Sequence, residues 1–295
     1  MADRIELIGV VGSGLMGSGI TEVCARAGLG VVVVEADAAA AERGQQRLEK
    51  SLETGVNRGK LTREEADAAF SGVRYATDLG ELADRQLVIE AITEDARAKV
   101  ECFKTLDKVV ESDRAILASN TSSIPIMKLA TVTKRPEQVL GLHFFNPVPV
   151  LRLVELVTSL MTSDSVVDEA TAMVTGTLNK RVIRSQDRAG FIVNSLLIPY
   201  LLSAIRMLES GFATRDDIDA GMIEGCAHPM GPLALSDLVG LDTMQAVAES
   251  LYDEFKEPLY APPPLLLRMV EAGLLGRKTG RGFYEYGRTS ATAPA

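Results

Sequence analysis

The 295-residue chain reads as an α/β protein: a doubly wound, mainly parallel sheet with helices on both faces, followed by a smaller all-helical domain. Three observations predict this. Short apolar runs rich in β-branched residues recur as far as residue 185 and alternate with segments of helical period. That is the pattern of βαβ units whose strands are buried on both faces. A glycine-rich turn joins the first apolar run to the first helical segment. After "QDRAG" (186–190) the strand signals stop, and helical periods punctuated by proline take over.

The elements follow in order. Residues 5–11 are an apolar run ended by glycine, and a helical pattern runs from about Met16 to Ala27. "VVVVE" (31–35) is the next strand, and 38–55 and 62–71 are helical. "QLVIEAI" (86–92), "AILAS" (115–119) and "QVLGLHFF" (138–145) are further strands, with a helix over 95–110 between the first two. "LRLVELV" (151–157) and "KRVIRS" (180–185) extend the sheet, separated by a helix near 164–178. Beyond the boundary, helices are expected at 191–210, 215–226, 233–240, 242–255 and 264–273. The first domain is therefore placed at 1–187, with a helical insertion at about 40–70, and the second at 188–286. A frayed tail is expected at 287–295. Helix 191–205 is apolar almost all round, so it should be buried in the second domain or at a subunit interface.

Composition narrows the function classes. A net charge of −9 argues against nucleic acid or an anionic membrane surface as partner. Cys24, Cys102 and Cys226 are widely spaced with no CxxC pair, which suits a reducing compartment and argues against disulfides and a zinc site. The start, "MADRIELIGVVG", carries no cationic leader, and the longest apolar stretch is broken by Asn194, Ser195, Pro199 and Ser203. A soluble, cytoplasmic protein without bound metal is expected.

"GVVGSGLMGSGI" (9–20) holds G-x-G-x-x-G within the loop Gly12, Ser13, Gly14, Leu15, Met16, Gly17. The motif alone is weak; a strand before it, a helix opening within it and an acid after the next strand give it weight. Gly12 serves the tight turn, Gly14 the approach of a pyrophosphate, and Gly17 the close packing of helix on strand. Phosphates would meet free N–H groups at the helix N-terminus. Glu35, 18 residues after Gly17, is placed to accept hydrogen bonds from an adenosine ribose, with Asp37 a competing candidate. An acid there repels a 2′-phosphate, so NAD is expected over NADP. This is a Rossmann-type unit.

"ASNTSSI" (118–124) follows a strand and offers Asn120, Thr121, Ser122 and Ser123 at the carboxyl edge of the sheet, although an ordinary polar turn reads the same way. His143, one of two histidines, arrives at the same edge. Period-2 alternation in "LRLVELV" puts Glu155 on a face with Leu151, Leu153 and Val157. A carboxylate there costs several kcal/mol unless partnered. "FNPVP" can turn the chain back beside His143, while Lys180 and Arg181 are the alternative partners. A carboxylate on one imidazole nitrogen would fix the tautomer and leave the other as a base.

With these segments the chain resembles the short-chain L-3-hydroxyacyl-CoA dehydrogenase family. "GSGLMGSGI", "ASNTSSI", "GLHFFNPVPVLRLVELV", "RAGFIVNSLLIPYL", "HPMGPLALSDLVGLD" and "GRKTGRGFYEY" carry the resemblance across residues 5 to 286. It implies NAD-dependent interconversion of a (3S)-3-hydroxyacyl-CoA, most specifically 3-hydroxybutyryl-CoA, with the 3-ketoacyl-CoA, in fatty-acid and butanoate metabolism. It implies His143 as the base, Glu155 as its orienting acid, and Ser122 and Asn194 as hydrogen-bond partners of the reacting substrate oxygens. Glu94, Lys99 and Asn120 would join Ser122 and His143 in contacting the cofactor. For Lys99 a solvated helix face is the competing reading. Residues 42–63 carry six cations against three acids, and by the resemblance Ser51, Arg58 and Lys60 take the CoA contacts. A homodimer through the helical domain is implied as well. A hydroxy-acid or sugar-acid dehydrogenase without CoA, or a non-catalytic crystallin-like protein, are the competing functions. His228 has no implied role and reads as a turn residue.

Overall fold

A computed structural model describes residues 5–287, which fall into two compact units divided between residues 188 and 189. Among the described residues of the first unit, eight strands form one sheet: β1 Leu7–Val11, β2 Gly30–Val34, β3 Val73–Ala76, β4 Leu87–Glu90, β5 Ile116–Ser119, β6 Val139–Phe144, β7 Leu153–Thr158 and β8 Arg181–Gln186. Their order is β3-β2-β1-β4-β5-β6-β7-β8. All neighbours are parallel except β6 and β7, which are antiparallel. The strand order reverses between β1 and β4, which opens a crevice at their carboxyl ends. Strand β3 was not anticipated from sequence, because its four residues form a partly exposed edge with no fully buried position.

One sheet face carries Ile8, Val10, Val31, Val33, Ile89, Ile116 and, further along, Leu142, Phe144, Val154 and Leu156, all in one buried core. The strand period therefore sends Glu90, Ser119, His143 and Glu155 to the opposite face. The register seats Glu90 beside Ser119 and His143 beside Glu155. All four are buried.

The helices of this unit are α1 Leu15–Arg26, α2 Ala38–Asn57, α3 Arg63–Ser71, α4 Ala96–Val109, α5 Ile126–Ala130 and α6 Asp164–Ala172, the last running into a π-helical turn. Asp37 caps α2, accepting from the Ala40 N–H at 2.7 Å, so this competitor of Glu35 has a structural task. Thr62 and Glu65 form a reciprocal capping box on α3, and Asp95 caps α4.

The second unit is helical: α7 Val193–Glu209, α8 Arg215–Cys226, α9 Pro232–Val239, α10 Leu241–Phe255 and α11 Pro264–Glu271. Ile198, Leu201, Leu202, Ile205, Leu233, Met244 and Leu251 form its centre. Two buried carboxylates stitch it together. Asp219 accepts from the Leu233 and Ala234 N–H groups, and Asp237 from those of Phe283 and Tyr284. Within this unit α7 is not buried all round: Leu196 is 72% exposed and Met207 39%. Among the described residues no helix is long and apolar enough to cross a membrane.

Candidate active site

The glycine loop leaves β1 with Gly12 at φ +93°, a conformation that strains any residue with a side chain. A Cβ on Gly17 would fall 1.9 Å from the Gly12 carbonyl oxygen, so only glycine lets α1 start this close to β1. A Cβ on Gly14 would meet nothing within 4 Å, which leaves open space over the helix N-terminus. Gly14 is the N-cap of α1 and brings no side-chain cap to its first N–H groups. Leu15 beside it is 67% exposed and Met16 packs against the sheet core. Beside the loop lies a cavity of about 650 Å³ lined by Gly12, Gly14, Val34, Glu35, Ala91 and Ile92 among others. Glu35 accepts from Ser13 through both its N–H and its hydroxyl, the latter at 2.8 Å, and so holds the loop against the end of β2. A dinucleotide fits this arrangement: a glycine cradle for the pyrophosphate, and a carboxylate in the same cavity for the ribose.

At the far side of the crevice His143 Nδ1 and Glu155 Oε2 are 2.7 Å apart, on directly opposed residues of the β6–β7 ladder. Glu155 is fully buried and His143 nearly so, at 7% exposed. A carboxylate only accepts, so Nδ1 carries the proton and Nε2 is the basic nitrogen of the neutral ring. The other two candidate partners of Glu155 are engaged elsewhere or exposed. Lys180 donates to the Val148 and Leu151 carbonyls at 2.7 Å each, and Arg181 is exposed at the start of β8. The Phe145 ring tilts over His143 with centroids 4.6 Å apart.

The loop after β5 is held from two sides. Asn120 Oδ1 accepts from the Phe144 N–H at 2.9 Å, tying the loop to the residue after His143. Glu94 Oε1 accepts from the Thr121 hydroxyl, from the Ser122 and Ser123 N–H groups and from the Ser123 hydroxyl, with the Ser122 hydroxyl at 3.4 Å. Burial alone would raise the Glu94 pKa; Lys99 and these donors overcome it and hold the carboxyl below its ordinary 4.5. Lys99 is 1% exposed, which excludes the solvated-face reading. Its ammonium lies 2.5 Å from Glu90 Oε1 and 3.2 Å from Glu94 Oε2. Glu90 was missed from sequence, since an acid closing an apolar strand looks like a strand end. The signal was in α4, where Lys99, Cys102, Phe103 and Leu106 share the buried stripe. A cation on such a stripe demands a buried acid.

Ser51 lies on α2 and lines a groove of about 290 Å³ with Leu15, Arg47, Lys50 and Pro147. Lys60 lines a second cavity, of about 610 Å³, together with Arg26, Arg152 and Lys180. Arg58 caps the end of α2 and is exposed. Asn194 lies in the first turn of α7, in the helical unit. His228 follows α8, with Nδ1 3.2 Å from the Tyr200 hydroxyl.

Comparison with known proteins identifies the family. Residues 7–188 match the NAD-binding domain of 3-hydroxyacyl-CoA dehydrogenases, and residues 190–286 match their C-terminal domain. A 3-hydroxybutyryl-CoA dehydrogenase of Mycobacterium tuberculosis is 58% identical over 286 residues, covering 97% of this chain and all of the relative. The crystal structure of M. tuberculosis FadB2 superposes with a TM-score of 0.96 at 58% identity over 97% of this chain and 100% of that one. That of (S)-3-hydroxybutyryl-CoA dehydrogenase PaaH1 from Ralstonia eutropha gives a TM-score of 0.91 at 45% identity, over the same shares of both chains. A doubly wound sheet with a glycine cradle, a buried histidine–carboxylate pair at its carboxyl edge and a helical second unit are thus found together in a chain that belongs to the 3-hydroxyacyl-CoA dehydrogenase family.

Proposed function

We infer that the protein is an NAD-dependent oxidoreductase that interconverts (S)-3-hydroxybutyryl-CoA and acetoacetyl-CoA, in the metabolism of fatty acids and butanoate. The observation that carries this reading is the His143–Glu155 pair, buried and 2.7 Å apart, at the sheet edge that also bears the glycine cradle. The bound dinucleotide supplies the hydride acceptor. His143 Nε2 takes the proton of the 3-hydroxyl during oxidation and returns it during reduction. Glu155 holds the ring by Nδ1 and stabilises the imidazolium while it carries that proton. Ser122 and Asn194 hydrogen-bond the substrate oxygens. Gly12, Ser13, Gly14, Leu15, Met16 and Gly17 receive the pyrophosphate. Glu35 receives the adenosine ribose, and the Glu94–Lys99 pair with Asn120 orders the nicotinamide end. Ser51, Arg58 and Lys60 attract the phosphates of CoA. Leu196 and Met207 on α7, with Phe212 78% exposed after it, support a homodimer formed through the helical unit.

The test is steady-state reduction of acetoacetyl-CoA by NADH, set against free 3-keto acids. Turnover of acetoacetyl-CoA with a large loss in His143→Ala, at unchanged affinity for NADH, is the expected result. Absence of acetoacetyl-CoA reduction would end the CoA assignment, and near-normal turnover in the variant would end the role of His143.

A further inference from the structure

Glu90 has no place in the mechanism above, yet it is one of the most completely enclosed charged groups of the first unit, with no measurable exposure. It accepts from three donors: Lys99 Nζ at 2.5 Å, the Ser119 hydroxyl at 2.6 Å and the Ile92 N–H at 2.8 Å. A group that only accepts is a carboxylate. Lys99 then contacts Glu94 at 3.2 Å, and Glu94 gathers the donors of residues 121–123. Two carboxylates therefore share one ammonium, and the cluster keeps one net negative charge. Cys102 adds none to it, since burial, with Glu90 reinforcing it, pushes its thiol up to about 12.

Stability alone does not call for this composition. Glu90 alone would neutralise Lys99, and the excess charge falls on Glu94, whose side chain is 36% exposed beside the loop. The charge sits behind the Asn120–Ser123 loop, which is tied through Asn120 to the backbone beside His143. The nicotinamide ring must reach the same substrate carbon as His143, so it comes to this loop. The ring is cationic when oxidised and neutral when reduced.

We propose that Glu90 is a positioning residue that locks Lys99 between two carboxylates and leaves the nicotinamide end of the site with a net negative charge favouring the oxidised cofactor over the reduced one. The inference rests on the reading of the Asn120–Ser123 loop as the nicotinamide contact. The differential affinity follows from charge alone, because both redox forms present the same amide, ribose and phosphates to the protein.

The test is calorimetric titration of the full-length protein with NAD⁺ and, separately, with NADH. Glu90→Gln preserves shape and removes one charge, as does Glu94→Gln on the more open side of the cluster, which keeps the test available if the buried substitution unfolds the protein. Both should raise the ratio of the NAD⁺ to the NADH dissociation constant, on the order of fivefold, the effect of one partly screened unit charge on another. Glu90→Asp, which keeps the charge, should restore most of the wild-type ratio, and Ser119→Ala, which removes a hydrogen bond but no charge, should leave it unmoved. A ratio unchanged in every folded glutamine variant, with the wild type binding both nucleotides, overturns the inference and leaves the dehydrogenase reading standing. A wild type that binds neither nucleotide overturns both.

Discussion

Glu155→Gln is the substitution that isolates the contribution of the buried carboxylate. The amide keeps the volume of the side chain, and its oxygen can still accept from His143 Nδ1, so the tautomer and ring position survive. What disappears is the negative charge 2.7 Å from the ring that must become positive during oxidation. With charge centres about 4 Å apart and an effective dielectric of about 20, that attraction is about 4 kcal/mol. At about 1.4 kcal/mol per tenfold in rate, this sets a ceiling near a thousandfold. Solvent that enters with the weaker pair brings the expected loss in kcat to roughly 100- to 1000-fold. Calorimetric affinity for NADH should hold, because Glu155 sits on the histidine's side of the loop and not in the glycine cradle. The assay is oxidation of (S)-3-hydroxybutyryl-CoA at saturating NAD⁺, with melting temperature measured in parallel. A folded variant retaining more than a tenth of wild-type kcat would refute the charge argument and leave Glu155 a packing residue.

Three further outcomes follow from the glycine loop and from Glu94. Gly14→Ala should fold as the wild type does, since its methyl meets nothing within 4 Å, and yet lose NADH affinity because that methyl occupies the pyrophosphate's space. Gly17→Ala should instead lower the melting temperature, its methyl falling 1.9 Å from the Gly12 carbonyl oxygen; equal stability of the two variants would contradict this division. The depressed pKa of Glu94 fixes the sign of a pH effect. Its contribution to stability is present above the ordinary value of 4.5 and is lost as pH falls through the lower, folded-state value. Glu94→Gln should flatten that part of the acid limb, and superimposable pH–melting profiles for variant and wild type would count against it.

Much of the fold was legible because burial on both faces leaves a direct mark on a strand. "VVVVE" and "QLVIEAI" are short unbroken apolar runs, as interior strands are, whereas β3 exposes part of its edge and so carries no such mark. The acid in "LRLVELV" was legible for a related reason. The parity of a strand is a property of the chain, and a carboxylate on the apolar side announces a partner. Which partner it takes depends on the β6–β7 register, and the ladder chose His143 over Lys180 and Arg181.

Sequence by itself determined the order of the strands and helices apart from β3, the glycine cradle, the acid after β2 and the presence of a carboxylate near His143 that must find a partner, because each depends on residues close together in the chain. Only the tertiary structure decided that Lys99 is interior, that Glu90 rather than solvent neutralises it, that Lys180 braces the turn after β6, and that α7 keeps an apolar side exposed within its own unit. Those facts depend on how β4, β5 and α4 pack across the sheet face, and on which strand edges meet. No local periodicity encodes such distances, because a buried charge is stabilised by whatever lies against it in space, however far away it lies along the chain.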